Sequence, residues 1–171
     1  MKKTVFILSA LLFLLAACSN NSESNSTEQS HEEGSHQHNK PSFYQGDLRE
    51  KTASVEELPS FLDDKPEDMT IIYSAAAQHQ EVLEQIPCYC GCGTSAGHKS
   101  SYQCFVHEVH EDGSIDWDDH GTRCGVCLEI AASSIVEYSK GKSIIEIRDM
   151  IDETYKEGYA TPTPTPMPKT N

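Results

Sequence analysis

The spacing of apolar and polar positions predicts a small, mainly α-helical domain over residues 43–159. Start signals at Asp64, Pro66 and Glu67 open a long helix whose apolar stripe runs from Ile71 to Ile86, and Pro87 ends it. The same periodicity predicts helices over 124–139 and 143–155, the second opened by the capping box Ser143-x-x-Glu146. A similar box at Ser54-x-x-Glu57 predicts a short helix that ends near Leu62.

A shorter pattern in the middle of the domain predicts a β-hairpin. Residues 105–109 and 114–117 flank Glu111-Asp112-Gly113, which has the composition of a tight turn. The core of such a domain is thin, and thin cores usually need a metal ion or disulfides for stability.

The two ends of the chain differ in composition from the domain. Residues 1–17 carry two lysines and then an apolar run too short to cross a bilayer, as in a signal peptide. The run ends in Leu-Ala-Ala-Cys18, which resembles a bacterial lipobox. That resemblance implies a lipid on Cys18 and attachment to the outer, extracytoplasmic face of the cell membrane.

Neither end is expected to fold. Residues 18–42 are rich in Ser, Asn and Glu, which predicts a flexible tether whose three histidines, His31, His36 and His38, serve as soluble filler. Residues 160–171 alternate Thr and Pro, which excludes helix and sheet and predicts a disordered, extended tail.

The charge balance excludes one class of partner. The net formal charge is −14, and removal of Lys2 and Lys3 with the signal peptide makes it more negative. A chain this acidic repels nucleic acid, which is therefore not an expected partner.

Six cysteines within the domain carry the strongest indication of chemistry. Three of them alternate with single residues in Pro87-Cys-Tyr-Cys-Gly-Cys92, and Cys124-x-x-Cys127 lies at a predicted helix start. Neighbours at i and i+2 are poorly placed for a mutual disulfide but well placed to share a soft metal ion, such as Cu(I) or Zn²⁺. The predicted metal ligands are Cys88, Cys90, Cys92, Cys104, Cys124 and Cys127.

Histidines close to these cysteines could complete a metal-binding shell. His98, His107, His110 and His120 lie in the same stretch, although each alone is more typical of a surface or core position. His79 falls on the apolar face of its helix and is interpreted as core packing.

Two other interpretations of the cysteines stay open. Six cysteines in an oxidising compartment could form three disulfides of a structural or interaction protein. Alternatively, Cys124 and Cys127 could cycle between dithiol and disulfide, with Cys124 as the attacking thiolate.

The motif Pro87-Cys-Tyr-Cys-Gly-Cys92, followed by Cys124-Gly-Val-Cys127 and two helices, resembles the PCYCGC-motif lipoproteins of Gram-positive bacteria. That resemblance supports the lipid anchor and the six-cysteine unit and implies no reaction. The stretch from Cys124 to Tyr155 also resembles the thiol reductants of cytochrome c maturation, which lack the C-x-C-x-C run.

Together these observations predict a binding protein rather than an enzyme. We expect an extracytoplasmic lipoprotein that sequesters a soft metal ion or exchanges it with a partner protein, or else exchanges electrons with a redox partner. A single shared site requires the loop at Cys88–Cys92 to fold back onto the start of the Cys124 helix.

Overall fold

The computed structural model describes residues 46–169, with the side chain of Thr94 excepted. The predicted signal peptide, the predicted lipid attachment site at Cys18 and the predicted tether therefore lie outside the described residues. In chain order the elements are β1 (Arg49–Thr52), α1 (Glu67–Gln78), α2 (Gln80–Leu83), α3 (Gly93–Ala96), β2 (Val106–Val109), β3 (Ile115–Asp118), α4 (Gly125–Ser139) and α5 (Ile144–Thr154). Short 3₁₀ segments lie at Ser60–Leu62, Tyr102–Cys104 and Asp119–Arg123.

The three longer predicted helices, up to Ile86, over 124–139 and over 143–155, are confirmed, with one break in the first. Helix α5 begins with the capping box, in which Ser143 and Glu146 accept hydrogen bonds from each other's backbone amides. The long helix predicted up to Ile86 divides at His79, whose backbone leaves the helical region (φ −118°, ψ 40°). The ring of His79 hydrogen-bonds the carbonyl of Ala75 at 2.8 Å. This satisfies one of the carbonyls that have no partner within the helix at the C-terminal end of α1.

The domain is not all-helical, because the predicted hairpin is joined by a third strand. The sheet is antiparallel in the order β1-β3-β2, with Arg49 opposite Asp118 and Val106 opposite Trp117. Strand β1 was not predicted from the sequence. It brings the segment just before it, including Asp47, to the edge of the domain's core.

The short helix predicted over 54–62 is wrong. A turn occupies its first half, and only Ser60–Leu62 forms a 3₁₀ segment. The carboxylate of Glu57 accepts from the amide of Ala53 rather than from that of Ser54, as a capping box would require, and the Glu50 side chain accepts from the amide of Ser60. These side chains satisfy backbone donors in a turn, and Pro59 leaves too few residues for a helix.

Helix α4 lies between two apolar clusters. One cluster contains the aromatic side chains Tyr73, Phe105 and Trp117, and the other contains Ile130, Ile147 and Ile151. Three of the cysteines belong to the first cluster, namely Cys88, Cys104 and Cys127. These three thiols are thus part of the core rather than surface groups.

The prediction of a disordered C-terminal tail is wrong for the described residues 160–169. The chain there is extended, as its prolines require, but Thr163 and Thr165 are buried against the domain. The guanidinium of the buried Arg148 donates to the carbonyls of Thr165 and Pro166. The tail is held because its carbonyls, which proline leaves without helix or sheet partners, find donors on the domain.

Between residues 46 and 169 no helix combines the length and the hydropathy needed to cross a membrane.

Candidate metal centre

The loop that carries Cys88, Cys90 and Cys92 follows α2 directly and is fixed by the C-terminal tail. The Cys88 amide donates to Thr163 Oγ1 at 2.9 Å, and the Thr163 amide donates to the Cys88 carbonyl at 3.0 Å. The amide of Ala160 reaches the carbonyl of Tyr89. These bonds hold the loop in a single path although it is neither helix nor strand.

Two glycines let the tail approach the loop closely. Gly91 has a left-handed backbone (φ +79°), and a Cβ there would lie 2.9 Å from the Ala160 Cβ. At Gly93 a Cβ would lie 2.5 Å from the Thr163 Cγ2. Both positions therefore need glycine where the tail crosses the loop.

The start of α4 meets this loop. Cys124 immediately precedes the helix and is half-buried, whereas Cys127 lies in the first turn and is fully buried. The Sγ atoms of Cys127 and Cys88 are 3.4 Å apart. The loop and the helix start therefore come together, as a single shared site requires.

Five sulfurs form what we call the thiol cluster: Cys88, Cys90, Cys104, Cys124 and Cys127. Cys88, Cys104 and Cys127 have their sulfurs within 4.8 Å of one another, and so do Cys90, Cys124 and Cys127. Cys127 is common to both groups. All six cysteines of the described chain are free thiols.

Cys92 lies at the edge of the site. Its sulfur contacts the Cys90 carbonyl at 3.8 Å, and it forms a potential ligand group with Cys90 and His120. Burial, followed by the neighbouring Cys90 thiolate, raises the pKa of the Cys92 thiol to about 11.

The thiols of the cluster differ in pKa. Hydrogen bonds from Cys104, Cys127 and Cys88 lower the pKa of Cys90, which makes it the preferred thiolate. The pKa of Cys127 is raised, because its proton is held between Cys127 and its neighbours Cys104, Cys88 and Cys90. A helix N-terminus alone would have favoured thiolate at the Cys124–Cys127 pair, but at Cys127 the surrounding sulfurs outweigh it.

A second set of side chains, which we call the histidine face, borders the thiol cluster: His98, His120, Asp47 and Asp118. The two imidazole rings meet edge to face with centroids 4.8 Å apart. His120 Nε2 lies 3.9 Å from Cys90 Sγ, and His98 Nδ1 lies 3.7 Å from Cys104 Sγ. His98, Cys104 and His120 also form a group with potential ligand atoms within 4.8 Å.

Carboxylates contact the other nitrogen of each ring. His120 Nδ1 is 3.0 Å from Asp47 Oδ1, and His98 Nε2 is 3.8 Å from Asp118 Oδ2. The thiolate of Cys90 and then Asp47 raise the pKa of His120 to about 9. Arg123 and Arg49 reach from the surface to Asp47 and Asp118 and balance the buried negative charge.

Sequence reasoning found the cysteines but not the whole histidine face. It named His98 and His120 as two of four equivalent histidines and did not name Asp47 or Asp118. His110 instead pairs with Asp116 on the hairpin at 3.1 Å, and the ring of His79 meets that of Tyr138 edge to face. A usable indication was present in the spacing, because His98 precedes Cys104 by six residues and His120 precedes Cys124 by four.

This arrangement could hold a metal ion. Thiolates select soft ions such as Cu(I) and Zn²⁺, and imidazole binds both zinc and copper.

A family model described as a protein of unknown function with PCYCGC motif matches residues 6–168. No curated protein and no solved structure matches the chain.

Proposed function

The chain belongs to the PCYCGC-motif family of unknown function, and we propose that it binds a soft metal ion, with Cu(I) the first candidate and Zn²⁺ the second. The observation that carries the proposal is the sharing of Cys127 between two groups of close sulfurs. A shared thiolate can bridge two neighbouring ions. A single tetrahedral zinc needs only four ligands, whereas five clustered sulfurs suit more than one Cu(I) ion.

The exposure of the sulfurs supports binding combined with exchange. Cys88, Cys104 and Cys127 are buried, whereas Cys90, Cys92 and Cys124 are partly exposed. An ion would enter or leave through the exposed thiolates and be retained by the buried ones. This gradient fits both roles that we propose, sequestration of a metal ion and its delivery to a partner protein.

The experiment is metal analysis of the full-length protein, purified in detergent under reducing, anaerobic conditions. We expect more than one Cu(I) per chain after loading and a smaller number in Cys127→Ser. Cys92→Ser is the matched control, since it also removes one thiol, but one at the edge of the site. Absence of bound copper and zinc, with six half-cystines by mass spectrometry, would support a disulfide-stabilised protein instead.

A redox function is the second candidate, and the burial of one cysteine pair favours it. Cys124 is partly exposed and Cys127 is buried one turn later, as expected for an attacking and a resolving thiol. The Cys124 thiolate would attack a partner disulfide, and Cys127 would then release the reduced partner and leave a Cys124–Cys127 disulfide. Cys127→Ser should then trap a mixed disulfide, and Cys124→Ser should not.

We also propose that Cys18 carries lipid and holds the protein on the extracytoplasmic face of the cell membrane. The resemblance of Leu-Ala-Ala-Cys18 to a lipobox supports this. Cells grown with radiolabelled palmitate should label the wild-type chain and not Cys18→Ser. Equal labelling of both chains would overturn the lipid assignment.

A further inference from the structure

The two histidines of the histidine face share an unusual arrangement. Each ring presents one nitrogen to a cysteine sulfur and the other to a buried carboxylate. The side chains of His98 and His120 are only 4% and 7% exposed. Two buried rings with the same pair of contacts indicate a common role.

That pattern is characteristic of histidines that bind metal ions. A metal-bound histidine usually donates its second N–H to a carboxylate, which fixes the tautomer and orients the ring. Asp47 Oδ1 lies 3.0 Å from His120 Nδ1 and is placed to accept this hydrogen bond. Around the other ring, Asp118 and Asp47 lie 3.8 and 3.9 Å from His98 Nε2. In both rings, the nitrogen that faces a cysteine sulfur is then available to bind the metal ion.

The contacts of these rings within the protein are incomplete. His98 Nε2 is buried without a hydrogen-bond partner. The contacts from the rings to Cys90 and Cys104, at 3.9 and 3.7 Å, are long even for sulfur. The unpartnered Nε2 faces the carboxylates and is not the ligand atom, whereas the ring nitrogens that face sulfur have only these long contacts and stay available as ligands.

We infer that His98 and His120 bind copper together with Cys90 and Cys104, so that one part of the centre is a mixed imidazole–thiolate site. This inference rests on the proposed function, because it assigns ligands to the same bound copper. Imidazole with thiolate accommodates Cu(II), whereas a site of thiolates alone favours Cu(I). The mixed part of the centre therefore retains copper in both oxidation states.

An oxidant takes electrons from copper in a mixed imidazole–thiolate site and from the thiolates in a site of thiolates alone. In the mixed site, Cu(I) gives one electron to a one-electron oxidant and becomes Cu(II), and no bond in the protein breaks. In a site of thiolates alone, two thiolates give two electrons in total, form a disulfide and release Cu(I). The same oxidant therefore separates the two cases.

The test uses the full-length protein in detergent, loaded anaerobically with Cu(I) and titrated with ferricyanide. We expect an intense visible absorption band from sulfur-to-Cu(II) charge transfer, a Cu(II) electron paramagnetic resonance signal and retained copper. X-ray absorption of the wild-type protein should show nitrogen as well as sulfur around copper. A shell of sulfur alone, or disulfide formation with loss of copper, would overturn the inference.

Variants assign these features to individual residues. His98→Gln and His120→Gln should each lose most of the visible band and of the nitrogen contribution. His110→Gln is the matched control, because that histidine also pairs with a carboxylate but has no cysteine sulfur among its hydrogen-bonded contacts. Spectra of His98→Gln and His120→Gln that equal those of the wild type would overturn the assignment.

The outcome also separates this inference from the proposed function. If the wild-type chain binds no copper, the proposed function fails together with the inference. If it binds copper through sulfur alone, the proposed function stands and the histidine assignment fails.

Discussion

The two halves of the candidate centre are built in different ways. The thiol cluster comes from two local motifs and Cys104, and backbone hydrogen bonds to the tail hold its loop in place. The histidine face comes from four scattered positions, and carboxylates hold its rings through side-chain contacts. The thiol cluster depends on the path of the backbone, whereas the histidine face depends on contacts between side chains. Mutations should therefore affect the two parts of the centre in different ways.

The largest effect is expected at the thiol shared by both sulfur groups. Loss of an outer partner of a metal ligand already lowers affinity about 10–100-fold. Because Cys127 belongs to two potential ligand groups, Cys127→Ser should weaken copper binding by more than about 100-fold. Competition with a Cu(I) chelator measures this, and a decrease below about 10-fold would show that Cys127 is not a common ligand.

On the histidine face, Asp47→Asn should weaken copper binding about 10–100-fold, because an amide orients the His120 ring less well than a carboxylate. The same chelator competition measures the loss, and the visible band should shift while the fold persists by circular dichroism. Asp116→Asn is the control, since Asp116 holds the hairpin histidine His110. Equal losses in the two variants would mean that Asp47 acts through general charge rather than by positioning His120.

The packing of the C-terminal tail on the cysteine loop can be tested at Gly93, where the tail crosses the loop. A Cβ in Gly93→Ala meets the Thr163 Cγ2, so the variant should lose about 1–3 kcal/mol of unfolding free energy. Urea denaturation of the reduced, metal-free protein measures this. Thr163→Ser removes the methyl group but keeps the hydroxyl that accepts from the Cys88 amide.

The double variant Gly93→Ala/Thr163→Ser provides the control for that prediction. It should recover at least half of the loss, because the clashing atom is gone. If the two effects simply add, the tail does not press on the loop at this point.

The smallest effect is expected for Cys92→Ser. Its sulfur lies at the edge, and its raised pKa, about 11, leaves it protonated at neutral pH. Copper binding should fall by less than about 10-fold, below the cost of losing an outer partner of a ligand. A loss as large as that of Cys127→Ser would make Cys92 an equal member of the thiol cluster.

The sequence allowed the thiol side to be predicted because its information is local. The C-x-C-x-C spacing, the Cys124-x-x-Cys127 pair and the capping box at Ser143 act over a few residues, and each has the expected position. The family assignment is likewise confirmed. The helix periodicity was also correct, apart from the break at His79, whose ring hydrogen-bonds the carbonyl of Ala75.

The histidine face and the third strand could not be predicted, because they depend on long-range pairing. Asp47 meets His120 only after β1 pairs with β3, and no local pattern distinguishes β1 from the turn that follows it. The tail was misjudged for a related reason. Proline composition excludes helix and sheet, but it does not say whether an extended chain has a surface to lie on.

The hydrogen bonds between Thr163 and Cys88 span 75 residues of sequence. The partners of the cysteine loop are therefore synthesised only after all six cysteines of the domain. Until they arrive, the Cys88 amide and carbonyl lack these partners, and the loop stays open while the helices after it can already form. A chain that stops short of residue 160 would keep every cysteine and yet lack the segment that holds the loop in place.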